Sequence, residues 1–309
     1  MKKISIISPC CNEEQMVDEF FFDLEKIVNS LPQFQFEIII VNDGSSDGTL
    51  TRLKFHAEKN HKISVIDLNR NFGKEIAITA GIDYACGDAV IIVDFDLQDP
   101  LTLIFDFVKQ WEEGYESVIG IRCDRNSDGF LKRKTAELFY SIYNLFAEIK
   151  IPKNAGDYRL LDRKIVEQLK TLPERQRFMK GLFSWVGARC AYVDYSRKKR
   201  SRGVSKFSGW RLWNFAIEGF TSFSTLPLRV WTYVGFFISL LSFIYAIFII
   251  SRALLFGIDV PGYNSLIVAI LFLGGIQIMG IGIIGEYLGR TYVESKQRPI
   301  YLIREIIKN

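Results

Sequence analysis

The segment VDFDLQDP, residues 93–100, brings carboxylates and an amide together directly after an uncharged apolar run. If the strand formed by that run continues, its alternation places Asp94, Asp96 and Gln98 on one side. Carboxylate and amide oxygens suit Mg²⁺ or Mn²⁺, whose coordination is then completed by substrate phosphates and water. A solvated polar loop explains the same residues, so other motifs must decide between the two interpretations.

Two further polar clusters also follow predicted strands. CCNEE (10–14) comes after the first strand and NDGSSDGT (42–49) after the second, with Asp43 at the point where that strand ends. A carboxylate there can accept hydrogen bonds from a nucleotide base, although a plain turn with a helix cap at Ser46 and Asp47 explains the cluster equally well. All three clusters are expected at the same edge of one sheet.

The first half of the chain alternates strand-like and helix-like segments. Strands are predicted over 4–8, 36–43, 63–68, 89–94 and 117–121, and helices over 13–31, 47–60, 74–87 and about 101–113. This alternation predicts an α/β fold with a mostly parallel sheet flanked by helices. Ligands of such sheets bind beyond the carboxyl ends of the strands, where the polar clusters lie.

Several classes of chemistry are excluded. The chain has no GxxxxGK[ST] phosphate loop and no GxGxxG after the first strand. Its two histidines and five cysteines, the latter without paired spacing, predict neither a histidine-based site nor a zinc or disulfide framework. The net charge of +4 is mild and concentrated near the apolar segments, so no nucleic-acid partner is predicted. Carboxylates, cations and amides must carry the chemistry.

Two long segments near the C-terminus contain no charged residue. They run between Arg229 and Arg252 and between Asp259 and Glu286, and each exceeds the roughly 20 residues that span a bilayer. Two transmembrane helices are predicted at about 231–254 and 263–287, with buried core helices as the alternative. Basic residues on the outer flanks predict a multi-pass membrane protein with both termini and the N-terminal α/β domain in the cytoplasm.

A GxxxG spacing, Gly285 to Gly289, lies at the end of the second apolar segment. Small residues at this spacing let membrane helices approach closely. The spacing is compatible with packing of the two predicted spans against each other and with a homo-oligomer formed through the transmembrane helices.

Five segments together resemble one family: PCCNEE, VNDGSSDGT, VDFDLQDP, GDYRLLDRK (156–164) and RSRGVSKFSGWRLWNFAIEGFTSFSTLPLR (200–229). In this order they resemble GT-A glycosyltransferases of family 2, in the polyprenyl-phosphate subgroup that includes dolichyl-phosphate mannosyltransferases and bacterial undecaprenyl-phosphate glucosyltransferases. The resemblance implies a GT-A catalytic domain over 1–205 and an amphipathic juxtamembrane segment over 206–229. A two-helix hairpin over 230–290 and a cytoplasmic C-terminal tail over 291–309 follow.

The resemblance also assigns donor residues. Nucleotide contacts are implied for Pro9, Asn12, Glu13, Asp43 and Asp94, with Asp43 pairing with the base. One departure is Cys11, which stands where relatives often carry an aromatic residue. Stacking of the base at that position is therefore not expected.

The remaining assignments concern the reaction itself. Asp94 and Asp157 are the implied catalytic acids, with Asp157 as a base or as a group that orients the acceptor. Asp96 matches the metal ligand of the D-x-D motif, and Gln98 matches a further metal-site residue of some relatives. The implied phosphate-binding residues are Arg200, Ser205 and Lys206.

The implied reaction is inverting transfer of a hexose, with glucose as first choice, from a UDP-sugar to the phosphate of undecaprenyl phosphate in the bilayer. It depends on Mg²⁺ or Mn²⁺ and yields a lipid-linked sugar for modification of cell-envelope glycans. The alternatives are another donor such as UDP-N-acetylglucosamine, a processive polysaccharide synthase, and a non-catalytic membrane scaffold. QRFMKG (176–181) lacks the tryptophan of the Q-x-x-R-W motif typical of the synthases, and the acids at 94, 96 and 157 argue against a scaffold.

Overall fold

The computed structural model describes residues 1–123, 152, 155–175, 177–196, 226–256 and 262–308. The described residues belong to two compact units. One unit contains the N-terminal part of the chain together with the C-terminal segment from Arg298, and the other contains the two long helices near the C-terminus.

The first unit is built on a sheet of eight strands among the described residues. In chain order these strands are β1 Lys3–Cys10, β2 Gln35–Asn42, β3 Ile63–Leu68, β4 Ala89–Ile92, β5 Ser117–Arg122, β6 Ala155–Asp162, β7 Cys190–Tyr195 and β8 Ile303–Lys308. Their spatial order is β7-β5-β6-β4-β1-β2-β3-β8. β1 runs parallel to β2 and β4, and β3 is parallel to β2, whereas β6 and β8 are antiparallel to their neighbours. The predicted α/β class with a mostly parallel sheet is confirmed.

Helices connect and follow these strands. They are α1 Val17–Asn29, α2 Thr49–Lys59, α3 Lys74–Tyr84, α4 Leu103–Glu112, α5 Arg163–Thr171, α6 Met179–Trp185, α7 Leu226–Phe256 and α8 Tyr263–Ser295, with a 3₁₀ turn at Glu14–Met16 before α1. Apolar residues line the central strands on both faces, and the consecutive residues Ile6 and Ile7 of β1, which point to opposite faces, are both fully buried. Such continuous apolar strands are typical of a sheet covered by helices on both sides, which leaves the strand ends as the accessible place for a site.

The acidic segment after β4 is a turn and not an extension of the strand. β4 ends at Ile92, and Leu97 adopts a positive φ of 53° within the segment that follows. The predicted continuation of this strand to residue 94 is therefore wrong, and alternation along a strand does not align Asp94, Asp96 and Gln98. The pairing of β4 with the longer parallel strand β1 ends at Ile7↔Ile92, whereas β1 itself continues to Cys10.

The segment predicted to be the C-terminal tail contains regular secondary structure. α8 continues to Ser295, and Ile303–Lys308 forms β8, an edge strand antiparallel to β3. Its sequence, IREIIK, alternates half-buried and exposed positions, as a strand with one covered face does. Residues 303–308 thus add a strand to the eight-stranded sheet of the first unit.

The second unit contains α7 and α8, of 31 and 33 residues. Among the described residues one stretch, Phe272–Ser295, is long and apolar enough to cross a membrane, and Val230–Tyr245 is a shorter apolar one. The predicted juxtamembrane segment lies largely outside the described residues, since 206–225 are not among them.

Candidate active site

The acidic turn is held by the two central strands. The backbone N–H of Val93 donates to the carbonyl of Ile7 at 2.9 Å, and the hydroxyl of Ser8 donates to the carbonyl of Val93, also at 2.9 Å. Beyond this anchor, Asp96 accepts a hydrogen bond from the backbone N–H of Gln98 at 3.2 Å. The turn therefore presents Asp94, Asp96 and Gln98 as partly exposed side chains at the carboxyl edge of the sheet.

A lysine joins the two predicted catalytic acids. Lys74 Nζ lies 2.6 Å from Asp94 Oδ1 and 2.7 Å from Asp157 Oδ2. Asp94 follows β4 and Asp157 lies on the neighbouring strand β6, so one ammonium group bridges two adjacent strands. Only 19% and 11% of the two acidic side chains is exposed, whereas 43% of Lys74 is. Two nearly enclosed carboxylates thus share one ammonium group, on a lysine whose side chain is partly exposed.

Lys74 is a site residue that the sequence analysis misses. One signal was available, because Lys74 is the first residue of α3, and a cation at a helix N-terminus is disfavoured by the helix dipole. A lysine at that position needs compensating acids. Here the two acids supply the compensation from distant parts of the chain.

Burial and neighbouring charges shift the pKa values of Asp157 and Lys74. Burial alone would raise the pKa of Asp157, but the positive charges of Lys74 and Lys180 hold that pKa well below its usual range. Burial likewise opposes the charge of Lys74, yet the carboxylates of Asp157 and Asp94 outweigh it and keep the pKa of Lys74 well above its ordinary value. Both groups therefore remain charged at neutral pH, and Asp157 is a weak proton acceptor.

Glu75, next to Lys74 on α3, behaves in the opposite way. Burial, followed by the negative charge of Asp157, raises the pKa of Glu75 to about 8. Its Oε2 accepts a hydrogen bond from the backbone N–H of Met179 at 3.2 Å, so the side chain also ties α3 to the start of α6. The site therefore holds one acid that stays ionised and one that is protonated at neutral pH.

Asp43 is buried and fixes the start of α3. Its two oxygens accept hydrogen bonds from the backbone N–H groups of Phe72, at 2.7 Å, and of Gly73, at 2.9 Å. Burial raises the pKa of Asp43 while these two bonds oppose that shift. Gly44 follows with a φ of +61°, and a Cβ there would lie 2.4 Å from the backbone of Arg70. The predicted base-binding acid thus also positions Lys74 through the turn before it.

The first motif is tied to the second by side-chain hydrogen bonds. The backbone N–H of Asn12 donates to Ser45 Oγ at 2.9 Å, and Asn12 Oδ1 accepts from the backbone N–H of Ser46 at 2.8 Å. The N–H of Glu13 donates to Thr49 Oγ1 at 3.0 Å. Pro9 is buried within β1, opposite Val41 of β2. The structure brings these residues to one edge, and their contacts with a nucleotide stay a prediction.

The donor set after β4 fits a hard divalent cation. No group of three His, Cys, Asp or Glu side chains that could hold a metal occurs among the residues that the structure describes. Asp96 and Gln98 offer a carboxylate and an amide oxygen at a partly exposed turn, which suits an ion that takes its other ligands from a bound diphosphate and water. The predicted phosphate-binding residues Arg200, Ser205 and Lys206 lie outside the described part of the chain.

Comparison with models of protein families shows which family the chain belongs to. Residues 5–170 match the model of glycosyl transferase family 2, and residues 226–291 match that of the GtrB C-terminal hairpin. The chain belongs to glycosyltransferase family 2. It is therefore an enzyme, and the family resemblance inferred from the five motifs is confirmed.

Relatives match this glycosyltransferase over nearly their full length. A bactoprenol glucosyl transferase of Shigella phage SfV is 49% identical, over 98% of both chains. An uncharacterised glycosyltransferase of Synechocystis is 52% identical, over 98% of this chain and 95% of its own. Among solved structures, mannosyl-3-phosphoglycerate synthase of Rubrobacter xylanophilus aligns with 70% of this chain and 71% of its own, at a TM-score of 0.50 and 18% identity. That likeness concerns the fold, and the predicted GT-A fold is confirmed.

Proposed function

We propose that this glycosyltransferase transfers glucose from UDP-glucose to the phosphate of a membrane polyprenyl phosphate. The observation that carries the proposal is the near full-length relatedness to bactoprenol glucosyl transferases, at 49% identity over 98% of both chains for the SfV enzyme. The hairpin model matched at 226–291 supports the same assignment, because a lipid acceptor requires chemistry close to a membrane. The product is a lipid-linked sugar for modification of cell-envelope glycans.

The acceptor needs little help from a base. A phosphate monoester has a second pKa near ~6, so at neutral pH its oxygen is already largely ionised. Asp157, whose pKa is held low by Lys74 and Lys180, is poorly suited to take a proton. Asp157 and Asp94 instead orient Lys74 and the sugar, and the acceptor oxygen displaces the diphosphate in a single inverting step.

The main obstacle to the reaction is repulsion between the negative charges that must come together in the site. The acceptor phosphate, the diphosphate of the donor and two enclosed carboxylates converge at one edge of the sheet. Lys74 Nζ, which lies between Asp94 and Asp157, offsets part of that charge. A Mg²⁺ or Mn²⁺ ion held by Asp96 and Gln98 would neutralise the diphosphate leaving group. Arg200, Ser205 and Lys206 contribute further phosphate contacts.

We expect the donor nucleotide to bind along the carboxyl ends of β1 and β2. Pro9, Asn12, Glu13 and Asp43 occupy that edge, and their hydrogen bonds hold the two loops together. Two transmembrane helices within 230–290 anchor the catalytic domain, 1–205, at the cytoplasmic face of the inner membrane, with both termini in the cytoplasm. A homo-oligomer through these helices is compatible with the Gly285–Gly289 spacing.

The pH profile of the reaction tests the role of Asp157. Because Asp157 stays ionised and the acceptor phosphate titrates near ~6, kcat/KM for the acceptor should be flat between about pH 7 and the pKa of Glu75 at about 8, and should fall up to tenfold per unit below about pH 6. An Asp157→Asn variant should lower the rate at every pH and keep the shape of the curve. A limb of the wild-type profile that disappears in this variant would instead identify Asp157 as the general base.

Donor profiling of membranes tests the proposed function. Membranes containing the protein are incubated separately with radiolabelled UDP-glucose, UDP-N-acetylglucosamine, UDP-galactose and GDP-mannose. The proposal predicts label in the chloroform extract, released by mild acid, with UDP-glucose as the preferred donor. Preference for another donor would overturn the choice of sugar, and the absence of lipid-linked label with every donor would overturn the reaction class.

A further inference from the structure

We propose that Arg304, on the C-terminal strand β8, is a positioning residue for the donor nucleotide. It acts through a line of buried polar groups that reaches the loops after β1 and β2. The inference rests on the proposed function in one respect, the use of those loops for the nucleotide. The physical coupling itself is carried by contacts of the described residues.

The line starts at a buried carboxylate. Asp67 lies at the end of β3 and is fully buried, an arrangement that is costly unless the charge is paired and hydrogen-bonded. Asp67 Oδ1 accepts a hydrogen bond from Asn42 Nδ2 at 2.7 Å, and Arg304 Nη1 lies 3.4 Å from Asp67 Oδ2. Arg304 Nη2 also donates to the carbonyl of Asn69 at 2.8 Å. One guanidinium therefore fixes both the buried acid and the backbone just after it.

The line continues from Asn42 to the first motif. Asn42 Oδ1 accepts a hydrogen bond from Ser45 Oγ at 2.5 Å, and Ser45 Oγ in turn accepts from the backbone N–H of Asn12 at 2.9 Å. Asn42 also immediately precedes Asp43, the predicted base-binding acid. Since Asp67 holds the amide of Asn42 from one side, the orientation of that amide sets which group it can offer to Ser45. Loss of Arg304 should therefore loosen both predicted nucleoside loops.

β8 has contacts that do not depend on Arg304. It pairs with β3 through Asp67↔Glu305 and Val65↔Ile307, and the N–H of Asn69 donates to the carbonyl of Leu302 at 2.9 Å. Glu305 forms an ion pair with Lys54 of α2. A substitution at Arg304 should thus leave the strand in place, and a substitution at Glu305 perturbs the same strand without removing the guanidinium that contacts the Asp67 carboxylate.

Three variants separate positioning from simple loss of the strand. Arg304→Met removes the guanidinium, Arg304→Lys keeps a charge without the fork that reaches two acceptors, and Glu305→Gln breaks the Lys54 ion pair as the matched control. In Arg304→Met we expect the Kd for UDP and the KM for UDP-glucose to rise about tenfold, with kcat changed less than threefold. Arg304→Lys should recover part of the loss, and Glu305→Gln should match the wild type.

Hydrogen–deuterium exchange provides a readout that is independent of the donor. Faster exchange confined to residues 10–14 and 42–48 in Arg304→Met, with unchanged exchange in β8, would support the coupling even if wild-type protein bound no UDP, an outcome that would overturn the proposed function alone. Unchanged exchange in both loops would overturn the inference. So would a UDP affinity of Arg304→Met within twofold of wild type, where wild type binds UDP, or an equal loss in Glu305→Gln.

Discussion

Replacing Asp96 with alanine is expected to lower metal-dependent glucosyl transfer about a thousandfold. Asp96 lies in the turn after β4, where it accepts a hydrogen bond from the N–H of Gln98. Without this carboxylate, the neutral amide of Gln98 alone would have to hold a divalent ion against the diphosphate. The transition state then carries charge that nothing at this position offsets. The measurement is kcat across a titration of Mg²⁺ and of Mn²⁺.

Asp106→Ala is the matched control for this variant. Asp106 is an exposed aspartate of α4, so its loss should leave the rate within twofold of wild type. Both proteins should insert into membranes to the same extent, because neither position belongs to α7 or α8. Turnover in Asp96→Ala that needs no added metal, or that retains wild-type metal dependence, would contradict the ligand assignment.

Replacing Lys74 with methionine should lower kcat about a hundredfold. The change leaves Asp94 and Asp157 close together without the ammonium that now lies within 2.7 Å of both. Removing one partner of an enclosed ion pair typically costs about 3–5 kcal/mol, because the remaining charges stay desolvated. Since 43% of the Lys74 side chain is exposed, solvent screening should reduce that figure. The pKa of Asp157 should also rise, which would add a new acid limb to the pH profile.

Two comparisons show whether Lys74 acts in catalysis or only in stability. Lys109→Met changes an exposed lysine on α4 in the same chemical way and should leave kcat unchanged. Lys74→Arg keeps the charge with a different reach, so its rate should fall between those of wild type and Lys74→Met. A Lys74→Met protein with a lower melting temperature and a kcat within threefold of wild type would show that the residue is structural.

The sequence predicts the central sheet well because its signals are local. Apolar runs such as EIIIVN give β2, and the turn residues that follow them mark the strand ends where polar side chains collect. The acids after β4 were expected at this edge on the same grounds. Their arrangement was not, since a turn with a positive φ at Leu97 replaces the predicted strand continuation.

The features that the sequence does not reveal depend on contacts between distant residues. Lys74 opens a helix whose apolar positions show little periodicity, and its partner Asp157 lies 83 residues further along the chain. β8 is a short segment after two long helices, and its pairing with β3 joins residues more than 230 positions apart. Asp67 gave a usable signal, because a carboxylate within the apolar run ISVIDL needs a buried partner.

The decisive experiment for the proposed reaction is transfer of glucose to a phosphate-bearing lipid by purified protein. The full chain is reconstituted in vesicles that contain either undecaprenyl phosphate or undecaprenol, with Mg²⁺ and UDP-glucose labelled in the sugar. We expect chloroform-soluble, acid-labile label with undecaprenyl phosphate and none with undecaprenol, because the acceptor oxygen belongs to the phosphate. Equal labelling of both lipids, or label in neither, would contradict it.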